Sequence, residues 1–219
     1  MDVSDAVAAR RSIRAFLPDP VDDALLASLL ERAARAPSGG NLQPWRVYVI
    51  NGPVMDDFRS FLAQRPPIEA PAYDIYPPDL HEPYRTNRFA VGEQMYAKLG
   101  IPRDDKAARL ARVAQNYDFF GAPCGLFCFV DRRMGPPQWS DLGMFLQTFM
   151  LLAVEAGLAT CAQEAWAMRS QAVTEFVGAP EEQTIFCGMA IGRADPDAAV
   201  NALVSERQPL AEWATFVQR

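Results

Sequence analysis

The chain has one histidine among its 219 residues, His81, and no G-x-S-x-G motif. A Ser-His-Asp hydrolase needs a histidine base facing an elbow-held serine, so that class is set aside. A Walker phosphate loop and the glycine fingerprint of a Rossmann dinucleotide site are absent as well. The cysteines are few: Cys124, Cys128, Cys161 and Cys187, none in a C-x-x-C pair. Structural zinc needs closely spaced thiolates or histidines, so no metal is expected. Cysteines scattered in apolar stretches read as buried thiols in a reducing compartment.

Positive charge is in deficit. Lys and Arg total 21 against 27 Asp and Glu, a net charge of −6. That sign does not suit a nucleic-acid backbone. The apolar runs are short, such as Leu126–Val130 and Phe149–Val154. A bilayer span needs about 18 consecutive apolar residues, so no membrane partner is expected. The first residues lack a basic segment followed by an apolar one, which points to a cytoplasmic protein without a secretory signal. Half the residues are hydrophobic and 22% are charged. A chain of this length and balance builds one domain, here 1–219, with a core that needs no disulfide.

The elements follow from periodicity. A short helix is expected from a Ser4 cap to about Arg10, and then an extended segment, Ser12–Phe16. Leu25, Leu26, Leu29, Leu30, Ala33 and Ala34 place a helix over residues 22–35. Residues 46–50 read as a strand and 53–62 as a helix. Six of the 18 prolines fall between Pro66 and Pro83, so residues 64–88 are expected to form a lid or loop. From Arg85 to Arg112 a broken helix carries seven basic residues against three acids. It is either a solvated face or a landing surface for a phosphorylated ligand. Cys124–Asp131 reads as a buried strand, and residues 138–156 as a helix apolar on most sides. Strands near 158–162 and 184–191 flank a helix near 169–177. The mixture lacks regular βαβ alternation and suggests an α+β fold. The 201–219 tail carries Leu203, Leu210, Trp213 and Phe216, which must dock on the chain's own body or on a partner.

Two stretches carry chemistry. Arg10, Arg11, Ser12 and Arg14 put three guanidinium forks and a hydroxyl within five residues, a donor set suited to phosphate. In an extended segment Ser12 and Arg14 face one way and Ile13 the other. Pro37, Ser38, Gly39 and Asn41 lie in a small-residue turn that lets backbone approach a ligand.

Together these stretches resemble the start of the FMN-dependent nitroreductase family. The pattern is a basic pair with serine and a further basic residue, then Phe, Pro-Val, a leucine-rich helix and Ala-Pro-Ser-x-x-Asn-x-Gln-Pro-Trp. The likeness continues at Gly121-Ala122-Pro123, at Asp141–Gln147, at Gly157–Glu164, at Gly188–Pro196 and at Glu206–Leu210. It covers nearly the whole chain and is greatest toward the nitrobenzoate-type branch.

The resemblance implies a nitroreductase-like α+β fold, a mixed or antiparallel sheet flanked by helices, in an intertwined homodimer with FMN at the interface. It implies that Arg10, Arg11, Ser12 and Arg207 hold the phosphate and ribityl chain, with Gly192 near the phosphate end. Arg14 would stand at the pyrimidine edge, where a fixed cation stabilises the negative charge of reduced flavin. Pro37, Ser38, Gly39 and Asn41 would reach FMN from the second subunit. Gln163, Glu164 and Ala165 would lie against the flavin, and Asp141 matches a polar family position. Arg193 departs from an often aromatic position, and either contacts phosphate or faces solvent. Ser205 stands where relatives have a second cation, a loss Arg193 or Arg11 would make good. NADPH or NADH would reduce the flavin, and a flat acceptor such as a nitroaromatic or quinone would reoxidise it. No side chain is required as a catalytic nucleophile or acid. Tyr73, Tyr76, Phe119, Phe120 and Trp139 are candidates for the acceptor pocket, with core packing the competing role for Phe119 and Phe120. A flavin-storage protein, or an enzyme acting on unsaturated carbonyls, halogenated aromatics or flavin itself, is the alternative.

Overall fold

A computed structural model describes residues 1–218. Its centre is an antiparallel sheet of four strands, β1 (Arg46–Asn51), β2 (Cys124–Asp131), β3 (Ala159–Gln163) and β4 (Gln183–Gly192), in the order β1-β2-β4-β3. The expected strands are all present. One parallel bridge, Ser12 to Thr160, adds the extended N-terminal segment beside β3. Strand β2 is buried from Cys124 to Val130 because helices cover both faces of the sheet.

Alternation along β2 sorts its side chains. Cys124, Leu126, Cys128 and Val130 pack toward α2 (Asp23–Ala33) and α6 (Pro136–Glu155). Phe127 and Phe129 pack on the other face with Phe58 of α3 (Pro53–Ala63), Phe119, Trp166 and Val173 of α7 (Ser170–Val177). Two glycines make room for these rings. A Cβ on Gly188 would stand 2.1 Å from Trp166 Cδ1, and one on Gly125 would stand 2.6 Å from Phe119 Cζ. Phe119 and Phe120 have φ of 49° and 55°, a left-handed conformation that costs a non-glycine residue energy. Burial of both rings holds it.

Helix α1 (Val3–Ala9) starts earlier than the sequence suggests. Its cap is Asp2, whose carboxylate accepts from the Asp5 N–H at 2.8 Å, and Ser4 lies inside the helix. Helix α6 also starts early, with proline in its first turn. It is not enclosed on every side: Met144 is 39% exposed.

The basic stretch forms two helices, α4 (Tyr84–Lys98) and α5 (Lys106–Ala114), separated at Gly100 with φ of 65°. Helix α4 buries no residue in this chain. Much of its charge is solvated or paired, as in Arg85 with Glu82 and Arg109 with Glu93. Arg112 alone of the stretch's basic residues turns inward and is buried.

The proline-rich segment is irregular only to Pro83, since α4 begins at Tyr84. Its first part is fixed to the body. Glu69 accepts from the Gln171 and Ala172 N–H groups at the start of α7 and pairs with buried Arg169. The Ala72 N–H donates to the Ala167 carbonyl at 2.8 Å. At the other end of the chain, Leu210, Trp213 and Phe216 are 52%, 67% and 78% exposed, so the tail does not bury them on its own body.

Candidate functional site

The C-terminal end of α1, the 12–14 segment and residues 203–207 meet around a cavity of about 450 Å³. Arg10, Arg11, Ser12, Arg14 and Arg207 line it, with Ser205 and Gln147. Residues from both ends of the chain thus come together at one cavity. Buried Ile13 faces the core between exposed Ser12 and half-buried Arg14, and its N–H donates to the Thr160 carbonyl at 3.0 Å.

The electrostatics of this cavity are one-sided. Among the described residues outside the cavity, seven arginines have a carboxylate partner within 4.0 Å, Arg32, Arg59, Arg65, Arg85, Arg109, Arg133 and Arg169, and seven, Arg35, Arg46, Arg88, Arg103, Arg112, Arg132 and Arg193, have none. Among the described residues, Arg10, Arg11, Arg14 and Arg207 have none within 4.0 Å. Arg207 donates instead to the Ser205 hydroxyl at 2.7 Å and to nearby carbonyls. What distinguishes these four is that they line one cavity, a donor set of the kind that suits an anion.

Two residues that the motifs did not single out hold this wall. Asn201, 8% exposed, accepts from the Arg14 N–H at 2.9 Å and donates to the Ala15 and Asp195 carbonyls. Arg112 donates to the Arg14 carbonyl at 3.0 Å. The inward turn of Arg112 is hidden in a stretch of similar charges, and Asn201 belongs to no recognisable spacing.

The small-residue turn lies elsewhere. Gly39 donates its N–H to the buried Asp141 carboxylate at 3.2 Å, and the Gln43 N–H donates to Ser38 Oγ. Pro37, Ser38, Gly39 and Asn41 do not line the arginine cavity of their own chain. Asp141 is spent on holding this turn to α6. Gly192 is also accounted for by packing, since a Cβ there would come within 2.9 Å of Pro123 Cδ. Arg193 is exposed and does not line the cavity, whereas Arg11 lines it together with Ser205.

Beyond β3, the side chain of Gln163 turns inward. It donates to the Asn116 carbonyl at 2.7 Å and accepts from Trp166 Nε1. Only its backbone is left for a ligand. Glu164 and Ala165 open the helical turn Glu164–Arg169, whose leading N–H groups have no acceptor within the turn. Glu164 keeps solvent contact, yet partial dehydration raises its carboxyl pKa.

The aromatic candidates separate. Tyr73 and Trp139 meet edge to face at 5.1 Å, and Trp139 meets Phe186 at 5.4 Å. The Tyr73 hydroxyl donates to the Phe186 carbonyl, and burial pushes its pKa up, with Cys187 and Glu164 adding to the effect. Phe186 belongs with these two and was missed because a strand residue in an apolar run reads as core. Tyr76 is 45% exposed under the Arg88 guanidinium, 4.0 Å from the ring centroid. Phe119 is fully buried and Phe120 8% exposed, so neither offers an open wall to an acceptor. They are core residues, displaced inward by the turn at 115–121.

The thiols are not nucleophiles. Burial pushes Cys124 and Cys187 up to about 12 and raises Cys128 and Cys161. Among the described residues no cluster of three or more His, Cys, Asp or Glu is placed to hold a metal, and no helix is long and apolar enough to cross a membrane.

The fold is an α+β body that brings arginines from both ends of the chain to one cavity. The chain belongs to the Nitroreductase family, whose model matches residues 7–193. It is 37% identical to a 4-nitrobenzoate reductase of Pseudomonas putida, over 99% of this chain and 96% of that protein. It is 35% identical to a nitrobenzene nitroreductase of Ectopseudomonas oleovorans, over 98% and 96%. Among solved structures, the FMN and NADPH-dependent nitroreductase NfnB from sphigopyxis sp. strain HMH matches with a TM-score of 0.93 at 49% identity, covering all of both chains.

Proposed function

We propose that the chain is an FMN-dependent NAD(P)H nitroreductase acting on nitroaromatics. The observation that carries it is the cavity where Arg10, Arg11, Arg14 and Arg207 converge without a carboxylate. Full-length relatives with that activity support the reading. When bound, FMN would supply the redox chemistry that links a nicotinamide donor to the acceptor.

The chain's own residues bind and orient. Arg10, Arg11, Ser12 and Arg207 would hold the phosphate and ribityl chain, and Arg14 would offer its charge to the pyrimidine edge. The Glu164–Ala165 backbone offers N–H donors to the ring. Pro37, Ser38, Gly39 and Asn41 lie outside the cavity of their own chain and would reach the cofactor of a second subunit, as the family resemblance implies. The exposed apolar tail with Leu210, Trp213 and Phe216 is the arm that packs on that partner. Tyr73, Trp139 and Phe186 form one wall of the acceptor pocket. No side-chain nucleophile takes part, in keeping with thiols held protonated by burial.

The test is an absorbance spectrum of the FMN-loaded protein before and after anaerobic NADPH, then after 4-nitrobenzoate. Bleaching followed by recovery is the expected result. Flavin that neither NADPH nor NADH bleaches would favour storage and overturn the reading. Dilution into the monomer range should release FMN; a stable monomer that retains it would refute the shared site.

A further inference from the structure

Arg112 is the one arginine of this region that the flavin reading leaves without a role. It lies at the C-terminal end of α5, 8% exposed, with no carboxylate within 4.0 Å among the described residues. One terminal nitrogen donates to the Arg14 carbonyl at 3.0 Å and the other to Gln115 Oε1. Its Nε is buried with no protein partner. The guanidinium lies 5.1 Å from the Phe120 ring centroid. Phe120 reaches that place through the left-handed backbone at 119–120.

Burying a cation costs desolvation, and a second cation nearby adds repulsion. Both act on Arg112, lowering its pKa. A clamp on a carbonyl needs only a neutral amide donor, so fixing Arg14 does not by itself explain a charge here. An anion in the adjoining cavity would offset the cost, by attracting both guanidinium groups.

We propose that Arg112 is a positioning residue for the reduced cofactor: it holds Arg14 from behind, and its buried charge biases the site toward reduced FMN. This rests on the flavin reading of the cavity. Arg14 is then gripped from two sides, by Asn201 at its N–H and by Arg112 at its carbonyl. The Arg112 charge acts through the low-dielectric layer behind Arg14, where solvent screens it little.

The decisive variant is Gln115→Glu. It keeps the shape and the acceptor and gives Arg112 a carboxylate, so a purely structural Arg112 would be held better. The FMN midpoint potential is measured for the wild type, Gln115→Glu, Arg112→Gln and Arg112→Lys, with Arg109→Gln as a control on the same helix. Gln115→Glu and Arg112→Gln are expected to lower the preference for reduced over oxidised FMN about tenfold, which is about 30 mV for a two-electron couple. Arg112→Lys should recover most of the shift, and Arg109→Gln should show none. A Gln115→Glu protein with the wild-type potential would overturn the proposal, as would Arg112→Lys shifting as far as Arg112→Gln. A wild type that binds no FMN would fail at the earlier step, the flavin reading itself.

Discussion

The sheet core and the arginine cavity meet along β3 and are built on opposite terms. Below the sheet, Phe58, Phe119, Phe127 and Trp166 pack ring against ring, with centroid separations of 4.7 to 6.2 Å. Gly125 and Gly188 clear space for them, and even the left-handed backbone at Phe119 and Phe120 is held by burial. At the cavity, guanidinium groups converge without counter-charges. The first region is satisfied by the chain alone, while the second is satisfied by something the chain must bind. A site of that kind gives up folding stability to gain ligand affinity.

Breaking the comparison from the core side should have the largest effect. Cys124, Cys128, Cys161 and Cys187 all have thiol pKa values raised by burial. In the unfolded chain they ionise first, so above about pH 9 the unfolded state holds fewer protons and stability falls with rising pH. By pH 10 the four together should remove roughly 6 kcal/mol, read as denaturant midpoints at pH 8 and pH 10. A flat profile would show that the thiols are not sealed in.

Next comes Gly188→Ala, which drives a methyl group into Trp166. Overpacking of this kind should cost about 3 kcal/mol, a fall of roughly 6–12 °C in the unfolding midpoint. The cavity should be spared, so the folded fraction keeps its FMN affinity.

Arg10→Met should do the reverse. FMN affinity is expected to fall roughly ten- to hundredfold, the worth of one hydrogen bond to a charged group. The unfolding midpoint of the flavin-free protein should stay level or rise, because a like charge has been removed from the cluster. A loss of apo stability would mean that the arginine serves the fold.

The smallest effect sharpens the boundary. Asn201→Ala removes the acceptor for the Arg14 N–H and the donors to two carbonyls. It should cost about 1–2 kcal/mol of stability and weaken FMN several-fold, since Asn201 touches both regions. Thermal melts and FMN titration on the same sample would show the two losses together.

The regular elements were legible because their signals are local. The leucine spacing in α2 and the apolar run of β2 determine helix and strand with little help from tertiary contacts. The arginine motif at 10–14 is weak by itself, because cations are common at helix ends, and it gains weight only beside the family-like motifs that follow it. What stayed hidden depends on side-chain direction across long sequence distance. Arg112 reaches Arg14 from 98 positions away, and Asn201 from 187. Asp141 matches a polar family position, and its bond to the Gly39 N–H spans 102 positions of sequence. Phe119 was a pocket candidate for which core packing was the favoured role, and it is a core residue. Its left-handed backbone, which sets its direction, leaves no mark in composition.

The most direct measurement is a pair of titrations of flavin-free protein, one with FMN and one with riboflavin, which lacks the phosphate. If the unpaired arginines form the anion site, FMN should bind at least about a hundredfold tighter than riboflavin, and added salt should narrow the gap. Equal affinity for the two, unchanged by salt, would contradict that assignment.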